Sequence, residues 1–251
     1  MILEALNYAA TWPLTAKANR GAIRYSVNLW SRAGRCARVW REHEEYCQAA
    51  VRAAFADLKQ RRTAVVLGSG LLRDVPILEL SSAFDTVVLV DLVHLASVRL
   101  WLLAKGIRNV RLIERDLSGY DDLATGRVPE PLAFLRQVPY LDFVVSANIL
   151  SQIGRGAARR LETEPAGRMP ADTPAQLIQA HLDGLAITAA KTCLLTDTGY
   201  TVLDRTGDVR EIFDLMHGVT IPPNGQSWDW PVAPLGEESP HYRIVHRVVA
   251  V

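Results

Sequence analysis

The sequence predicts an α/β fold with a doubly wound, mostly parallel sheet, two further strands at the C-terminal end and a helical cap at the N-terminal end. Short apolar runs rich in β-branched residues alternate with helical stretches after residue 63. Several of these runs end directly in glycine or aspartate, and the first 62 residues differ from the rest in charge and periodicity. Such alternation is typical of parallel sheets that are covered by helices on both faces.

The first 62 residues form a basic, aromatic segment with a helical pattern. They hold 11 Lys and Arg residues against five Asp and Glu, and seven of the 18 aromatic residues, although the whole chain has a net charge of only +1. From Cys36 to Leu58 the apolar residues recur every three or four positions, which predicts one face of an amphipathic helix. We therefore expect a helical cap at residues 1–62 that packs on a domain at residues 63–251.

The strands of the second part follow from its apolar runs. The candidates are residues 64–67, 86–90, 110–113, 141–145 and 192–196, followed by terminal strands at 227–233 and 242–251. Helical patterns separate the earlier strands, for example at residues 92–105, where Gly106 marks the expected end.

Composition excludes several classes of protein. With 251 residues, of which 49% are hydrophobic, the chain is long and apolar enough to bury a sizeable core and is not a disordered chain. Three cysteines are too few for a disulfide scaffold and fit a reducing compartment. No apolar run reaches the roughly 18–20 residues that a membrane-spanning helix requires. We expect a cytoplasmic protein, and the sequence leaves its oligomeric state open.

Polar residues follow three successive strands at the point where each strand ends. Gly68-Ser69-Gly70 follows the first strand, Asp91 the second and Asp116 the third. Ligands of open α/β sheets bind beyond the carboxyl ends of the strands, where glycines allow close approach to the backbone. Asp91 lies 21 residues after Gly70, a spacing that suits an acid that accepts hydrogen bonds from ribose hydroxyls. The pattern predicts a nucleoside site.

On these residues the sequence resembles the class I S-adenosylmethionine-dependent methyltransferases, which have a Rossmann-like fold. Val65-Val66-Leu67-Gly68-Ser69-Gly70 resembles their first motif, and residues 144–152 resemble the motif of their fourth strand. The resemblance covers residues 63–251 and implies that the two terminal strands pair as an antiparallel C-terminal edge hairpin. It implies S-adenosyl-L-methionine as the cofactor.

The same resemblance assigns cofactor contacts one by one. The implied contacts are Gly68, Ser69, Gly70, Arg73, Asp91, Leu92, Asp116, Leu117, Ser146 and Asn148. The glycine loop would hold the amino-acid moiety, Asp91 the ribose, and Asp116 with its neighbours the adenine. The sequence departs from the family where Leu71 or Leu72 replaces a third glycine, and we expect Arg73 to pair with the methionine carboxylate instead.

The acceptor side is predicted with less detail. A sulfonium methyl group is already activated, so the protein mainly aligns the two reactants, and the catalytic residues stay unknown. Asn148 and Gln152 follow the fourth strand, whereas Tyr25, Trp30 and His43 belong to the cap and could form a second wall. We expect a small acceptor that is anionic or aromatic. The basic segment 154–172, which includes Arg168, is either a lid over an anionic acceptor or a solvated surface loop.

Several alternatives remain open at this point. Cys36, His43 and Cys47 share a helical face, but ordinary burial explains them, and we expect no metal. Nucleic acid is a less favoured partner than a small-molecule acceptor, because the basic residues of the cap alternate with glutamates. The glycine loop is also similar to that of nicotianamine-synthase-like enzymes, which transfer the aminocarboxypropyl group of the same cofactor. A non-catalytic, cofactor-binding interaction protein is the third alternative.

Overall fold

The computed structural model describes residues 1–164, 169–223 and 225–251, and the chain divides into two compact units. The first unit comprises Met1–Asp116 and Pro139–Ala147, and the second comprises Leu117–Val138 and Asn148–Val251. Arg168 of the expected lid lies outside the described residues. The expected division into a cap at 1–62 and a domain at 63–251 stays a prediction.

The first unit begins with three helices. They are α1 (Ile2–Thr11), α2 (Ile23–Arg35) and α3 (Ala37–Phe55), with two short 3₁₀ turns between α1 and α2. The buried face of α3 carries Trp40, His43, Cys47, Val51 and Phe55. These positions are three or four residues apart, so the amphipathic pattern of the sequence corresponds to the face that the helix buries.

Four parallel strands complete the first unit, with two helices between them. The elements are β1 (Thr63–Leu67), α4 (Ile77–Ala83), β2 (Thr86–Asp91), α5 (Ala96–Ala104), β3 (Val110–Glu114) and β4 (Leu141–Ala147). Their order in the sheet is β3-β2-β1-β4, and all neighbouring pairs are parallel. The strand order therefore reverses between β1 and β4, which is where open α/β sheets bind ligands.

The N-terminal helix α1 caps the helix α5 through side chains. Thr11 Oγ1 accepts a hydrogen bond from the backbone N–H of Ala96 at 2.9 Å, and Asn7 Oδ1 accepts one from Ser97 at 3.2 Å. Leu95, at the N-terminal end of α5, provides no side-chain cap of its own. The free N–H groups of this helix end are thus satisfied by a segment 85 to 90 residues earlier in the chain.

Among the described residues, the second unit contains three α-helices and four strands that pair antiparallel with one another. They are α6 (Tyr120–Ala124), α7 (Leu150–Thr163), α8 (Thr173–Ala186), β5 (Lys191–Asp204), β6 (Val209–Asp214), β7 (Gln226–Ala233) and β8 (Tyr242–Ala250). β5 pairs with both β6 and β8, and β7 pairs with β8. The predicted α/β class, the parallel strands, the antiparallel pair β7–β8 and the N-terminal helices are confirmed.

The structure corrects the sequence analysis at three places. Residues 154–163 are helical in α7, so the basic segment does not begin as a loop. Residues 92–95 precede α5 and are not helical. β6 was not predicted because every residue of this strand is exposed and gives no buried apolar run. Among the described residues, no helix is both long and apolar enough to span a membrane.

Candidate functional site

The glycine loop after β1 turns in a conformation that favours glycine. Gly68 and Gly70 have φ values of 71° and 48°, a left-handed region in which side chains are strained. The backbone N–H groups of Gly68 and Ser69 donate to the carbonyl oxygen of Val90, at 2.9 and 3.3 Å. The loop is therefore attached to the end of β2, the strand that carries Asp91.

Asp91 is hydrogen-bonded to this loop. Its Oδ2 accepts from the backbone N–H of Gly70 at 2.7 Å, and its Oδ1 accepts from Leu92 at 2.7 Å. Burial raises the pKa of the Asp91 carboxyl, and the bond from Gly70 acts in the opposite direction. Each carboxylate oxygen can accept a further bond. Leu92, the next residue, is partly exposed.

Two polar side-chain atoms near Asp91 are buried without a partner in the described part of the chain. One belongs to Ser69 of the glycine loop and the other to His94, three residues after Asp91. Among the described residues, Ser69 Oγ and His94 Nδ1 have no hydrogen-bond partner. His94 Nε2 lies 3.1 Å from the carbonyl oxygen of Ile113. Burial lowers the pKa of His94, which keeps the imidazole neutral. A buried hydroxyl without a partner in a glycine loop is a group that a bound ligand could satisfy.

The other predicted contacts of the first unit lie at the same edge of its sheet. Asp116 is exposed and follows β3 by two residues. Ser146 is fully buried near the end of β4 and is in register with Leu67 of β1. Since β1, β2, β3 and β4 are parallel, the glycine loop, Asp91, Asp116 and Ser146 all belong to the carboxyl end of this sheet. Leu117, which follows Asp116, is buried and is the first residue of the second unit in the chain.

Arg73 is bound to α3. Its Nε lies 2.5 Å from Glu44 Oε1, and its Nη2 lies 3.1 Å from Glu44 Oε2. The side-chain amide of Gln48 donates to the carbonyl oxygen of Arg73 at 2.7 Å. In this structure the guanidinium is therefore neutralised by a glutamate of the N-terminal segment. The expected contact of Arg73 with the cofactor stays a prediction.

A cavity of about 990 Å³ in the first unit includes one of the predicted acceptor residues. Trp30 lines this cavity together with Arg35, Leu71, Leu72, Arg73 and Trp101, among others. Two tryptophans and two arginines therefore line a space next to the glycine loop, together with the acid Glu4. Tyr25 is 66% exposed and is not among its lining residues.

His43 lies elsewhere in the first unit. It is buried, and its Nε2 lies 3.7 Å from Cys47 Sγ and 3.5 Å from Asp74 Oδ1. Asp74 follows Arg73 directly in the segment after the glycine loop. The structure brings His43 together with Cys47, as the sequence predicted for one helical face, and adds an acid that helix periodicity could not reveal.

Asn148 and Gln152 belong to the second unit and form one turn. Asn148 has a φ of 50°, and its N–H donates to the carbonyl oxygen of Leu195 at 2.8 Å. Gln152 Nε2 donates to the Asn148 carbonyl oxygen at 2.7 Å. Asparagine tolerates the left-handed region better than most residues, which suits it to this position. Gln152 is otherwise exposed.

Sequence reasoning missed a buried hydrogen-bonded group in the second unit. Ser151 Oγ donates to Asp197 Oδ1 at 2.5 Å, and His246 Nδ1 lies 2.6 Å from Asp197 Oδ2. Burial alone would raise the pKa of Asp197, but the bond and charge of His246 and the bond from Ser151 lower it overall. The rings of Tyr200 and Trp230 pack on the imidazole of His246.

Asp197 fixes the imidazole of His246 through Nδ1, which leaves Nε2 as the nitrogen that could exchange a proton. This pairing is the arrangement by which proteins orient a histidine base. The sequence held one indication of this group, because Asp197 directly follows a predicted buried strand, as Asp91 does. Nothing in the sequence joined it to a histidine 49 residues later.

Comparison with known proteins gives structural similarity without sequence similarity. No protein-family model matches the sequence, and no curated protein matches it. An N-methyltransferase, NodS from Bradyrhizobium japonicum in complex with S-adenosyl-L-homocysteine, is 11% identical with a TM-score of 0.38, covering 82% of this chain and 85% of its own.

Two solved structures from Burkholderia thailandensis are also similar in structure at low sequence identity. The 1,6-didemethyltoxoflavin-N1-methyltransferase is 14% identical with a TM-score of 0.38, over 87% of this chain and 86% of its own. An O-methyltransferase family protein is 12% identical with a TM-score of 0.41, over 90% of this chain and 59% of its own.

Proposed function

We propose that this chain is a class I S-adenosyl-L-methionine-dependent methyltransferase that acts on a small acceptor. The observation that carries this proposal is the hydrogen bond from the Gly70 N–H to Asp91 Oδ2, beside the point where the strand order reverses. It joins the glycine loop to an acid on the next strand. This combination suits a nucleoside with an amino-acid tail.

The residues of the first unit fit the parts of this cofactor. The Asp91 carboxylate suits the ribose hydroxyls, since it can accept hydrogen bonds in addition to those from Gly70 and Leu92. The buried Ser69 hydroxyl, which has no hydrogen-bond partner among the described residues, suits the amino-acid moiety. Asp116, exposed after β3, suits the adenine edge. When bound, the cofactor supplies a methyl group on a sulfonium that is already activated for transfer.

The cavity next to the glycine loop supports a small acceptor that is aromatic or anionic. Trp30 and Trp101 offer flat apolar surfaces, and Arg35 offers a positive charge. A volume of about 990 Å³ is in the range of small-molecule sites.

Isothermal titration calorimetry with S-adenosylmethionine and S-adenosylhomocysteine tests the proposal. We expect both to bind the wild-type chain. Asp91→Ala should weaken binding by about 1.5–3 kcal/mol, the value of charge-assisted hydrogen bonds. The matched control is Asp85→Ala, because Asp85 is exposed at the opposite end of β2 and should leave binding unchanged.

The possible outcomes separate the alternatives. No binding of either compound at millimolar concentration would overturn the proposal. An equal affinity of wild type and Asp91→Ala would show that the acid has been assigned wrongly. In turnover assays, S-adenosylhomocysteine as product supports methyl transfer, whereas methylthioadenosine would identify transfer of the aminocarboxypropyl group.

A further inference from the structure

Three side chains with metal-ligating atoms meet outside the proposed cofactor site. They are His43 and Cys47 of α3 and Asp74 of the segment that follows the glycine loop. One atom of each lies within 4.8 Å of the others. His43 and Cys47 are four residues apart, so they lie one turn apart on the same buried face of α3.

Two of the three distances between these atoms are those expected of neighbouring ligands on one cation, and the third, between Cys47 and Asp74, is within 4.8 Å. His43 Nε2 lies 3.7 Å from Cys47 Sγ and 3.5 Å from Asp74 Oδ1. Zinc bonds of about 2.0–2.3 Å in tetrahedral geometry place neighbouring ligand atoms roughly 3.3–3.7 Å apart. The thiol is 3.8 Å from Nδ1 and thus nearly equidistant from both ring nitrogens.

The surroundings hold Asp74 in place. The preceding residue, Arg73, is bound to α3 through Glu44 and Gln48, so the backbone that carries Asp74 is fixed to the helix that carries His43 and Cys47. The Asp74 side chain is 28% exposed, whereas that of His43 is 1% exposed. The cluster is thus buried on the helix side and reachable from solvent on the Asp74 side.

We propose that His43, Cys47 and Asp74 bind one zinc-class divalent cation, with a fourth position open to water. The mixed nitrogen, sulfur and oxygen set suits Zn²⁺ or Co²⁺, while Mg²⁺ and Ca²⁺ prefer oxygen ligands alone. The bound cation ties α3 to the segment after the glycine loop. This inference does not rest on the proposed methyltransferase function, since it needs neither cofactor nor acceptor.

Titration with cobalt tests the site directly. The full, untagged chain is freed of metal with a chelator and titrated with Co²⁺ alone, and Zn²⁺ is then added in competition. We expect one Co²⁺ per chain, a thiolate-to-cobalt charge-transfer band, visible bands typical of four-coordination, and loss of both on adding Zn²⁺. Thermal unfolding should move to higher temperature with one equivalent of Zn²⁺.

Three variants assign the ligands. Cys47→Ser should abolish the charge-transfer band. Asp74→Asn should keep the band but lower the affinity for Co²⁺ at least about tenfold. Even the loss of a residue that only hydrogen-bonds to a metal ligand costs about 10–100-fold in metal affinity. The matched control is Cys193→Ser, because Cys193 is also a buried free cysteine but lies in β5. It should bind Co²⁺ as the wild type does.

Three outcomes would contradict the metal site. The proposal is wrong if Co²⁺ added to the metal-free chain gives no charge-transfer band, if Cys193→Ser rather than Cys47→Ser removes the band, or if Asp74→Asn binds Co²⁺ with unchanged affinity. Asp74 is partly exposed, so Asp74→Asn decides the matter even if Cys47→Ser does not fold.

Discussion

Arg73 and Glu44 form a two-point ion pair, with Nε and Nη2 of the guanidinium 2.5 and 3.1 Å from the two carboxylate oxygens. Glu44 belongs to α3 and Arg73 to the segment after the glycine loop, so the pair attaches the N-terminal helices to the proposed cofactor loop. The Glu44 side chain is 14% exposed, which makes the pair less screened by solvent than a surface ion pair.

Glu44→Gln separates two possible roles of Arg73. If Arg73 holds the loop through Glu44, the variant loosens the loop, and affinity for S-adenosylhomocysteine falls by roughly threefold, an effect of about 0.6 kcal/mol. If Arg73 instead binds the methionine carboxylate, the variant frees its charge and affinity rises. We expect the fall. Calorimetry measures it, with Glu42→Gln on the exposed face of α3 as the control.

A second ion pair, Arg62–Asp142, joins the start of β1 to β4, where the register of the two strands shifts by one residue. Asp142 Oδ2 accepts from the backbone N–H of Arg62 at 2.7 Å, and the guanidinium donates to both carboxylate oxygens at 2.9 and 3.1 Å. These bonds from Arg62 hold the pKa of Asp142 below its ordinary value, against the effect of burial. Because Arg62 precedes β1 and Asp142 lies in β4, the pair stands at the opposite end of the two strands from Gly68 and Ser146.

This pair predicts a pH dependence of stability. A lowered carboxyl pKa contributes stability that is present above the ordinary pKa and is lost as the pH falls through the lowered pKa. Asp142→Asn should therefore cost about 1 kcal/mol at pH 7, a value reduced by the exposure of Arg62, and the cost should diminish below about pH 4. Urea unfolding of both proteins from pH 7 to pH 3 measures the difference. A difference independent of pH would contradict the role of the charge.

The group around Asp197 predicts unequal costs of removing its members. Asp197→Ala leaves both Ser151 and His246 without their shared acceptor in a buried place, and should cost about 3 kcal/mol or more. Ser151→Ala removes one bond and should cost about 1–2 kcal/mol. Denaturant unfolding gives both values, and Asp183→Ala on the exposed side of α8 should change stability by less than about 0.5 kcal/mol. Equal costs for the two buried variants would argue against a shared acceptor.

Features of the fold could be predicted from the sequence where the pattern that indicates them lies within one short segment of the chain. The positions of Gly68, Gly70 and Asp91 at the ends of neighbouring strands could be predicted, because a buried apolar run, the residues that end it and the spacing to the next run are all local. The amphipathic face of α3 could be predicted for the same reason, since helix periodicity states which residues share a face.

The rest depends on residues that are distant in the chain. Asp197 and His246 lie on β5 and β8, and only the antiparallel pairing of these strands brings them together. Asp74 joins His43 and Cys47 because Arg73 is bound to Glu44, a contact between segments 29 residues apart. No period or motif encodes such a contact. The strand β6 was missed because strands are recognised by burial, and its residues are exposed.

Two glycines of the second unit should respond oppositely to the same substitution. A Cβ atom at Gly184 in α8 would lie 2.9 Å from Leu132 Cβ, and Leu132 is buried, so the neighbour has little room to move. Gly156 in α7 is exposed and has no atom within 4 Å of such a Cβ among the described residues. Both positions are helical, and both would gain about 0.5–1 kcal/mol from replacing glycine by alanine in a helix.

Overpacking at Gly184 should outweigh that gain. We expect Gly184→Ala to lower the free energy of unfolding by about 1–2 kcal/mol and Gly156→Ala to raise it by about 0.5–1 kcal/mol. Guanidinium unfolding curves of the two variants and the wild type measure both changes under one condition. If Gly184→Ala stabilises the chain as much as Gly156→Ala does, Leu132 is free to withdraw and the packing between α8 and this leucine is looser than the contact distance indicates.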